Sequence, residues 1–332
     1  MESTPSLRTP DAAWLGEVLG TTITSLEARV IGADRGFLST TWRLILRSDP
    51  PGDCPASLVL KSESSNPIFQ SLGRERRSFD REIRFYRELA PRLSAELPRL
   101  YACGSGDDDC WLLMEDLSHQ RPGDQVRGLS HREVEAVVSR IAGVHAQFWN
   151  DTSLQGCDWL PSHRYWFSDP DLSQLEPLLH EYGLRIGEPM MQLLQATMEQ
   201  MPQIDAAIAE RPCSLVHGDL RADNLMFDGA TDAPSVSLLD WQTVTRSLPA
   251  IDLAYLFGGS EPEIERAGHV EELLCLWHGE LLSHGVSDYP LEMARRDLQL
   301  AALRCLSGCV RLYTMLHHPS TSVRSAASCR SR

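Results

Sequence analysis

Lysine is nearly absent from this chain of 332 residues, although basic residues as a class are not. Of the 31 basic side chains, 30 are arginine and one is lysine, Lys61. The 46 acidic residues give a net charge of -15, which argues against binding to nucleic acid or to an anionic membrane surface. An acidic chain tolerates a cationic small molecule as a partner, but taken by itself the charge is better explained by an acidic surface that serves solubility.

Long apolar runs and paired cysteine motifs are also missing. No run approaches the ~20 residues that a membrane-spanning helix requires, and residues 1–10 lack the apolar core of a secretion signal. The nine cysteines include no Cys-x-x-Cys pair, so neither a zinc site nor a disulfide framework is indicated. With 42% hydrophobic and 23% charged residues, we expect a globular, cytoplasmic protein whose thiols are mostly small buried groups.

The one lysine ends a predicted strand. Residues 56–61 are mostly apolar and follow a turn at 50–53, and residues 38–47 form another strand-like run after a glycine-containing turn at 31–36. This order is typical of a hairpin that covers a nucleotide. No Gly-Lys-Ser/Thr follows, so the segment is not a P-loop. A lysine reaches a phosphate oxygen in a tight site where the wider arginine fork does not fit, although a chance surface lysine remains the alternative.

The segment 78–89 has helical periodicity, with Phe79 and Ile83 on its apolar face. Glu82 lies on or beside the same face, where a carboxylate needs a cationic partner. The alternative is an ordinary solvated glutamate. Because the lysine strand comes shortly before this helix, we expect Glu82 to pair with Lys61.

Two further strand-like runs follow at 97–104 and 110–114, and a stretch with glycine and proline at 120–128 marks a boundary between two lobes. Ser130 begins a capping box for the next helix. His145 falls on the apolar stripe of that helix, and we interpret it as a hydrogen-bonded core histidine and not as a ligand.

The most informative segment is His217-Gly218-Asp219, which has Asn224 five residues after the aspartate and a second aspartate, Asp240, at the end of an apolar strand. This order of residues is typical of phosphoryl transfer, which needs positioning and electrostatic stabilisation more than covalent chemistry. Asp219 can align an attacking hydroxyl, while Asn224 and Asp240 offer the oxygen ligands that magnesium prefers. We expect His217 to brace the loop.

Together these motifs resemble the aminoglycoside phosphotransferase and choline kinase branch of the protein-kinase-like fold, and most closely its ecdysteroid-kinase-like group. The shared segments are 59–61, 81–86, 114–117, 144–149, 217–219, 240–242 and 250–255. The resemblance implies an α+β, two-lobed fold with a small lobe at 1–117, formed by an antiparallel sheet and one helix. It also implies a larger, mostly helical lobe at 118–317, and residues 318–332 are predicted to be a disordered tail.

The resemblance further implies ATP and magnesium as cofactors. Lys61 would contact the α- and β-phosphates and pair with Glu82, Asp219 would orient or deprotonate the acceptor hydroxyl, and Asn224 and Asp240 would hold magnesium. The remaining residues implied in nucleotide binding are Gly36, Ser39, Thr40, Met114, Glu115, Leu117 and Arg221. Of these, Glu115 and Leu117 would meet adenine through backbone groups, and Arg221 either reaches the γ-phosphate or faces solvent. Asp252 resembles an aspartate that ties down the catalytic loop.

The function implied is that of a small-molecule kinase that phosphorylates a hydroxyl of an antibiotic, another natural product or a metabolite. A nucleotide-binding module without catalysis is the alternative. Asp252 follows only twelve residues after Asp240, which leaves no room for the activation loop of a protein kinase, and Trp241-Gln242 replaces the Phe-Gly of that family. The acidic residues between Glu261 and Glu272 indicate either a cationic acceptor or a solvated helix start. The sequence leaves open the acceptor, the choice between ATP and GTP, and the oligomeric state.

Overall fold

The structure is a computed structural model that describes residues 10–32, 38–106, 110–162, 173, 175–229, 234–260 and 268–317. The chain divides into two compact units. The first unit consists of residues 1–127 and 222–243, and the second consists of residues 128–221 and 244–332.

The strands and helices of the described residues are numbered in chain order. The strands are β1 Thr22–Ile31, β2 Ser39–Asp49, β3 Ser57–Glu63, β4 Leu100–Ser105, β5 Cys110–Glu115, β6 Arg121–Pro122, β7 Ser214–Val216, β8 Leu225–Phe227, β9 Val236–Leu238 and β10 Thr245–Ser247. The helices are α1 Ala12–Leu19, α2 Pro67–Glu75, α3 Ser78–Arg84, α4 His131–Gln147, α5 Leu175–Ile186, α6 Glu188–Glu199, α7 Met201–Ala209, α8 Ala250–Phe257, α9 His269–Ser283 and α10 Leu291–His317.

A five-stranded antiparallel sheet in the order β1-β2-β3-β5-β4 forms the centre of the first unit. In β2 the buried Leu44 and Leu46 alternate with the exposed Ile45 and Arg47, as expected for a strand with one face in the core. That face packs against Leu15 of α1. The predicted sheet and its lysine strand are confirmed, although β4 begins three residues later than the run 97–104 indicated.

The helix predicted over 78–89 is present: α3 forms its first part, and the turn Phe85–Leu89, which continues α3, is π-helical. A second small sheet in the order β6-β8-β9 completes the first unit. The pairing of β6 with β8 joins residues 222–243 to this unit, so the units differ from the lobes expected at 1–117 and 118–317.

The second unit is mostly helical. The long helix α10 packs against α6, α7 and α8 around a core that includes Leu194, Met198, Ile251 and Ala301. Helix α4 packs against α9. The predicted capping box at Ser130 is present, with its hydroxyl accepting from the Glu133 N–H and the Glu133 carboxylate accepting from the Ser130 N–H.

The structure also bears on the sequence predictions about the cysteine thiols and about membrane-spanning helices. The prediction that the thiols are mostly buried is wrong for the seven free cysteines described, because six are half-buried and Cys275 is exposed. None of the helices in the described ranges has the length and apolarity to cross a bilayer. The turn residues 33–37 with Gly36, the acidic residues 261–267 and the predicted tail at 318–332 lie outside the described residues.

Candidate active site

The centre of the candidate site in the first unit is the ammonium group of Lys61, which is only 6% exposed on β3. Its Nζ lies 2.6 Å from Oε2 of Glu82 and 2.7 Å from Oδ1 of Asp240. Glu82 reaches it from α3 and is 1% exposed, so the predicted pair of Lys61 and Glu82 is present. The structure adds Asp240 as a second partner of the same ammonium.

Two carboxylates sharing one ammonium make this buried group electrostatically unbalanced. Burial alone would lower the pKa of Lys61, but the charges of Asp240 and Glu82 outweigh it and raise that pKa above its usual value. Burial raises the pKa of Glu82 to about 7; the positive charge of Lys61 opposes this effect, and the negative charge of Asp240 adds to it. The ionised group therefore carries one excess negative charge in a place poorly reached by water.

This imbalance predicts that Glu82→Gln stabilises the protein at neutral and higher pH. Because folding raises the pKa of Glu82, its protonated form favours the folded state. This contribution to the free energy of unfolding is fully present below about pH 4.3 and is lost as the pH rises through about 7. Between about pH 5 and pH 8 the free energy of unfolding of the wild type should fall by roughly 2–3 kcal/mol relative to that of the variant. Urea unfolding at several pH values measures this difference.

Glu88→Gln is the matched control, because Glu88 belongs to the π-helical turn that continues α3 and its side chain is 45% exposed. Its free energy of unfolding should stay close to that of the wild type. A difference between wild type and Glu82→Gln that stays constant from acid to alkaline pH would show that Glu82 titrates normally.

The second carboxylate, Asp240, directly follows the hairpin formed by β8 and β9. Leu225 pairs with Leu238, and the Leu239 N–H donates to the carbonyl of Asn224 at 2.9 Å. Residues 224 and 240 therefore lie at the same end of this hairpin. Asp240 has a positive φ of 64°, a conformation that aspartate and asparagine adopt more readily than most residues.

The residues after Asp240 are fixed by a buried aromatic stack. Trp241 is fully buried, and its ring stacks on Phe85 with 4.1 Å between centroids and an angle of 9° between planes. The buried Arg81 of α3 donates to the carbonyl of Gln242 at 3.2 Å. These contacts hold the backbone beside Asp240 against the helix that carries Glu82.

Four of the other predicted nucleotide residues lie on strands of the same sheet, namely Ser39, Thr40, Met114 and Glu115. Ser39 and Thr40 begin β2 and pair with Glu63 and Ser62, at the strand end that carries Lys61. Met114 and Glu115 end β5, which pairs with β3. Among the described residues none accepts a hydrogen bond from the Leu117 N–H, although the Leu117 carbonyl accepts from Gln120.

In the second unit, the loop that carries Asp219 is held by the buried carboxylate of Asp252. Its oxygens accept from the backbone N–H groups of His217 and Gly218, each at 2.8 Å. Gly218 has a positive φ of 82°, which glycine adopts without strain. The Nδ1 atom of His217 accepts from the Asp219 N–H at 3.2 Å. The predicted roles of Asp252 and His217 in fixing the loop are therefore confirmed.

The side chain of Asp252 also contacts His145, which in turn is hydrogen-bonded to Trp277. Nε2 of His145 lies 3.1 Å from Asp252 Oδ2, and the Trp277 indole N–H donates to Nδ1 of His145 at 3.0 Å. Because an indole nitrogen only donates, Nδ1 is the acceptor and Nε2 carries the proton given to Asp252. This confirms His145 as a core histidine and adds Trp277, which the sequence did not indicate.

Asp219 itself is contacted by the side chains of Arg221 and Tyr255, both in the second unit. Nε of Arg221 lies 3.4 Å from Oδ2 of Asp219, so Arg221 contacts the carboxylate two residues before it. The hydroxyl of Tyr255 on α8 is hydrogen-bonded to Asp219, and burial, followed by the Asp219 charge, raises the pKa of Tyr255 above its usual value. The phenol is therefore the donor. Tyr255 lies three residues after Asp252, on the same face of α8.

Comparison with solved structures gives the same architecture. With the GDP and kanamycin complex of APH(2'')-IIIa the TM-score is 0.56 at 12% identity, covering 94% of this chain and 95% of the other. With the streptomycin and ATP complex of APH(2'')-IIa the TM-score is 0.53 at 15% identity, and the alignment covers 98% of each chain. With an ethanolamine kinase from Plasmodium vivax the TM-score is 0.54 at 12% identity, and the alignment covers 92% of this chain and 82% of the other. The predicted two-lobed, kinase-like α+β fold is confirmed.

The family comparison is more specific than the fold. No curated protein matches the sequence. The family model described as the phosphotransferase enzyme family, APH, matches residues 31–279. The closer resemblance to the ecdysteroid-kinase-like group stays a prediction. Because the matched residues make up most of the chain and include every motif from the lysine strand to Asp252, this chain belongs to the APH phosphotransferase family and is a small-molecule kinase.

Proposed function

We propose that this chain transfers the γ-phosphoryl group of magnesium-bound ATP to a hydroxyl of a small molecule. The observation that carries the proposal is the buried contact of Lys61 with Asp240 in a member of a phosphotransferase family. It joins the one lysine of the chain to the residue expected to bind magnesium, and a phosphoryl-transfer site needs both a phosphate-binding cation and a metal.

The nucleotide would be bound by the sheet of the first unit. Lys61 would neutralise oxygens of the α- and β-phosphates, and Glu82 would hold its ammonium in place. Ser39 and Thr40, with Gly36 beyond the described residues, would cover the phosphates. Adenine would meet the backbone at Glu115 and Leu117, where the N–H of Leu117 offers a donor.

The donor set at the end of the β8–β9 hairpin fits magnesium. Asn224 supplies an amide oxygen and Asp240 a carboxylate, and this ion prefers oxygen ligands and completes its shell with phosphate oxygens and water. When bound, magnesium would neutralise charge on the phosphates that react. It would also balance the excess negative charge at Lys61, Glu82 and Asp240.

Asp219 would act on the acceptor. The acceptor oxygen would form a bond to the γ-phosphorus while the bond from that phosphorus to the β–γ bridging oxygen breaks, and ADP would leave with that oxygen. The hydroxyl proton would pass to the Asp219 carboxylate. The hydrogen bonds of Asp252 to the loop would keep this carboxylate in position, and Arg221, which contacts it, would either remain there or turn to the γ-phosphate.

For the acceptor we propose a hydroxylated small molecule that also carries amino groups. The net charge of -15 is compatible with a cationic partner, and the similar structures include complexes with kanamycin and with streptomycin and an ethanolamine kinase. An antibiotic, another natural product and a metabolic amino alcohol all belong to this class. A cytoplasmic location is part of the proposal and rests on the sequence alone.

A panel assay tests the proposal. Wild-type protein is incubated with magnesium and ATP or GTP labelled at the γ-phosphate, together with aminoglycosides, nucleoside antibiotics, macrolides, amino alcohols or sterols. We expect label to appear in one chemical class of acceptor. Binding of the nucleotide without transfer to any hydroxylated compound would favour the non-catalytic module, and labelling of generic protein substrates alone would contradict a small-molecule acceptor.

Tyr255→Phe should slow turnover without preventing it. The variant removes one hydrogen bond to the ionised Asp219, which should raise the pKa of that carboxylate and lower kcat by about 3- to 30-fold at neutral pH. The acidic limb of the pH–rate profile should move to higher pH. A fall in kcat at every pH with an unchanged profile would show a packing role instead.

A further inference from the structure

The first helical residues of α4 and α9 bring together side chains that the proposed kinase mechanism does not use. His131 opens α4 and His269 opens α9, and their rings lie 3.8 Å apart between centroids at an angle of 39°. A neutral imidazole binds a metal ion through a ring nitrogen, so the two rings offer two metal ligands side by side.

Carboxylates complete the group from both helices. Nε2 of His131 lies 3.7 Å from Oε1 of Glu135 and 3.7 Å from Oε2 of Glu272. Glu135 is four residues after His131 on α4, and Glu272 is three residues after His269 on α9, so each helix presents one imidazole and one carboxylate on one face. Ligand atoms of His131, His269 and Glu272 all lie within 4.8 Å of one another.

We propose that His131, His269 and Glu272, with Glu135 as a fourth ligand, bind a divalent transition metal ion of the zinc type that links α4 to α9. Imidazole combined with carboxylate selects zinc and its neighbours over magnesium or calcium. Tetrahedral ligands around zinc lie about 3.4 Å apart. The carboxylate of Glu272 is exposed and that of Glu135 is partly exposed, so both side chains are able to move toward that spacing.

Two further carboxylates nearby have partners outside this group. Glu133 is used in the capping box with Ser130, and Glu271 pairs with Arg295, which also contacts Glu292. The positive ends of the two helix dipoles disfavour a cation at this place. The two ligating carboxylates offset that effect.

A metal ion here would act on the helices that support the Asp219 loop. Helix α4 carries His145 and α9 carries Trp277, and these two residues are hydrogen-bonded to each other and, through His145, to Asp252. Linking the starts of α4 and α9 would hold this pair of helices together. The expected effect is structural, and it does not depend on the proposed reaction.

The test is titration of the full-length protein with zinc after removal of bound metal with a chelator. Excess magnesium is present throughout to fill the oxygen-ligand site at Asn224 and Asp240. We expect one zinc ion per chain with a Kd near or below about 1 μM, an absorption spectrum of four-coordinate cobalt when Co²⁺ replaces it, and a Tm raised by about 5 °C or more.

The double variant His131→Gln with His269→Gln should weaken zinc binding at least about 30-fold and lose the Tm shift. His284→Gln is the control, because His284 lies after α9 with a carboxylate, Glu280, at 4.0 Å on one helix only, and it should bind zinc like the wild type. If the double variant does not fold, Glu272→Gln and Glu135→Gln test the same ligands, and each should weaken binding about tenfold. Equal loss in His284→Gln, or no stoichiometric zinc in the wild type, would overturn the proposal.

Discussion

Asp219→Asn should lower kcat for phosphoryl transfer by about 10³-fold while leaving the affinity for magnesium-bound ATP within about threefold of the wild type. An amide has the shape of the carboxylate and still accepts a hydrogen bond from Tyr255, but it takes up no proton from the acceptor hydroxyl. Steady-state kinetics with the acceptor found in the panel, together with calorimetric nucleotide titration, measure the two effects separately.

Asp223→Asn is the control for this variant, because it removes a negative charge four residues later in the same segment. The Asp223 side chain accepts from the Gln125 N–H at 3.1 Å, a contact that an asparagine oxygen preserves. We expect turnover close to that of the wild type. If Asp219→Asn retained wild-type turnover, Asp219 would not be the group that acts on the hydroxyl.

Asp240→Asn should weaken magnesium-dependent nucleotide binding and strongly reduce turnover. Asparagine adopts the positive φ of 64° at this position as readily as aspartate, so the backbone should be preserved. The variant loses the charged oxygen for magnesium and one of the two carboxylates that bind Lys61. We expect the affinity for ATP in the presence of magnesium to fall at least about tenfold and kcat to fall about 10²- to 10³-fold.

Asp228→Asn provides the matched control, since Asp228 is exposed at the opposite end of the β8–β9 hairpin. It should bind nucleotide and turn over like the wild type. Should Asp240→Asn bind ATP equally well with and without magnesium, at wild-type affinity, the assignment of Asp240 as a metal ligand would be wrong.

The pairing of Lys61 with Glu82 could be predicted because each residue carries a local signal. A strand of apolar residues that ends in the one lysine of the chain, and a carboxylate on the apolar face of the following helix, both require a partner in the core. Asn224 and Asp240 flank short apolar segments that pair as a hairpin. Their approach therefore follows from strand pairing.

Other parts of the fold and of the candidate site could not be predicted, because they depend on contacts between residues far apart in sequence. Trp277 and His145 are 132 residues apart, and His131 and His269 meet only because α4 packs on α9. The π-helical turn after α3 has no pattern of its own, and the half-buried cysteines reflect packing that composition does not fix. Tyr255, by contrast, could have been found: it lies three residues after Asp252, so a helix that directs Asp252 at the loop directs Tyr255 there as well.

The account is tested most directly by identifying the product of one complete reaction. The wild-type protein is incubated with magnesium, ATP and the acceptor from the panel, and phosphorus–proton correlation spectroscopy follows the γ-phosphate. The account predicts a phosphate monoester on a hydroxyl oxygen of the acceptor, formed in equal amount with ADP. Release of ADP with inorganic phosphate alone, whatever acceptor is present, would contradict it.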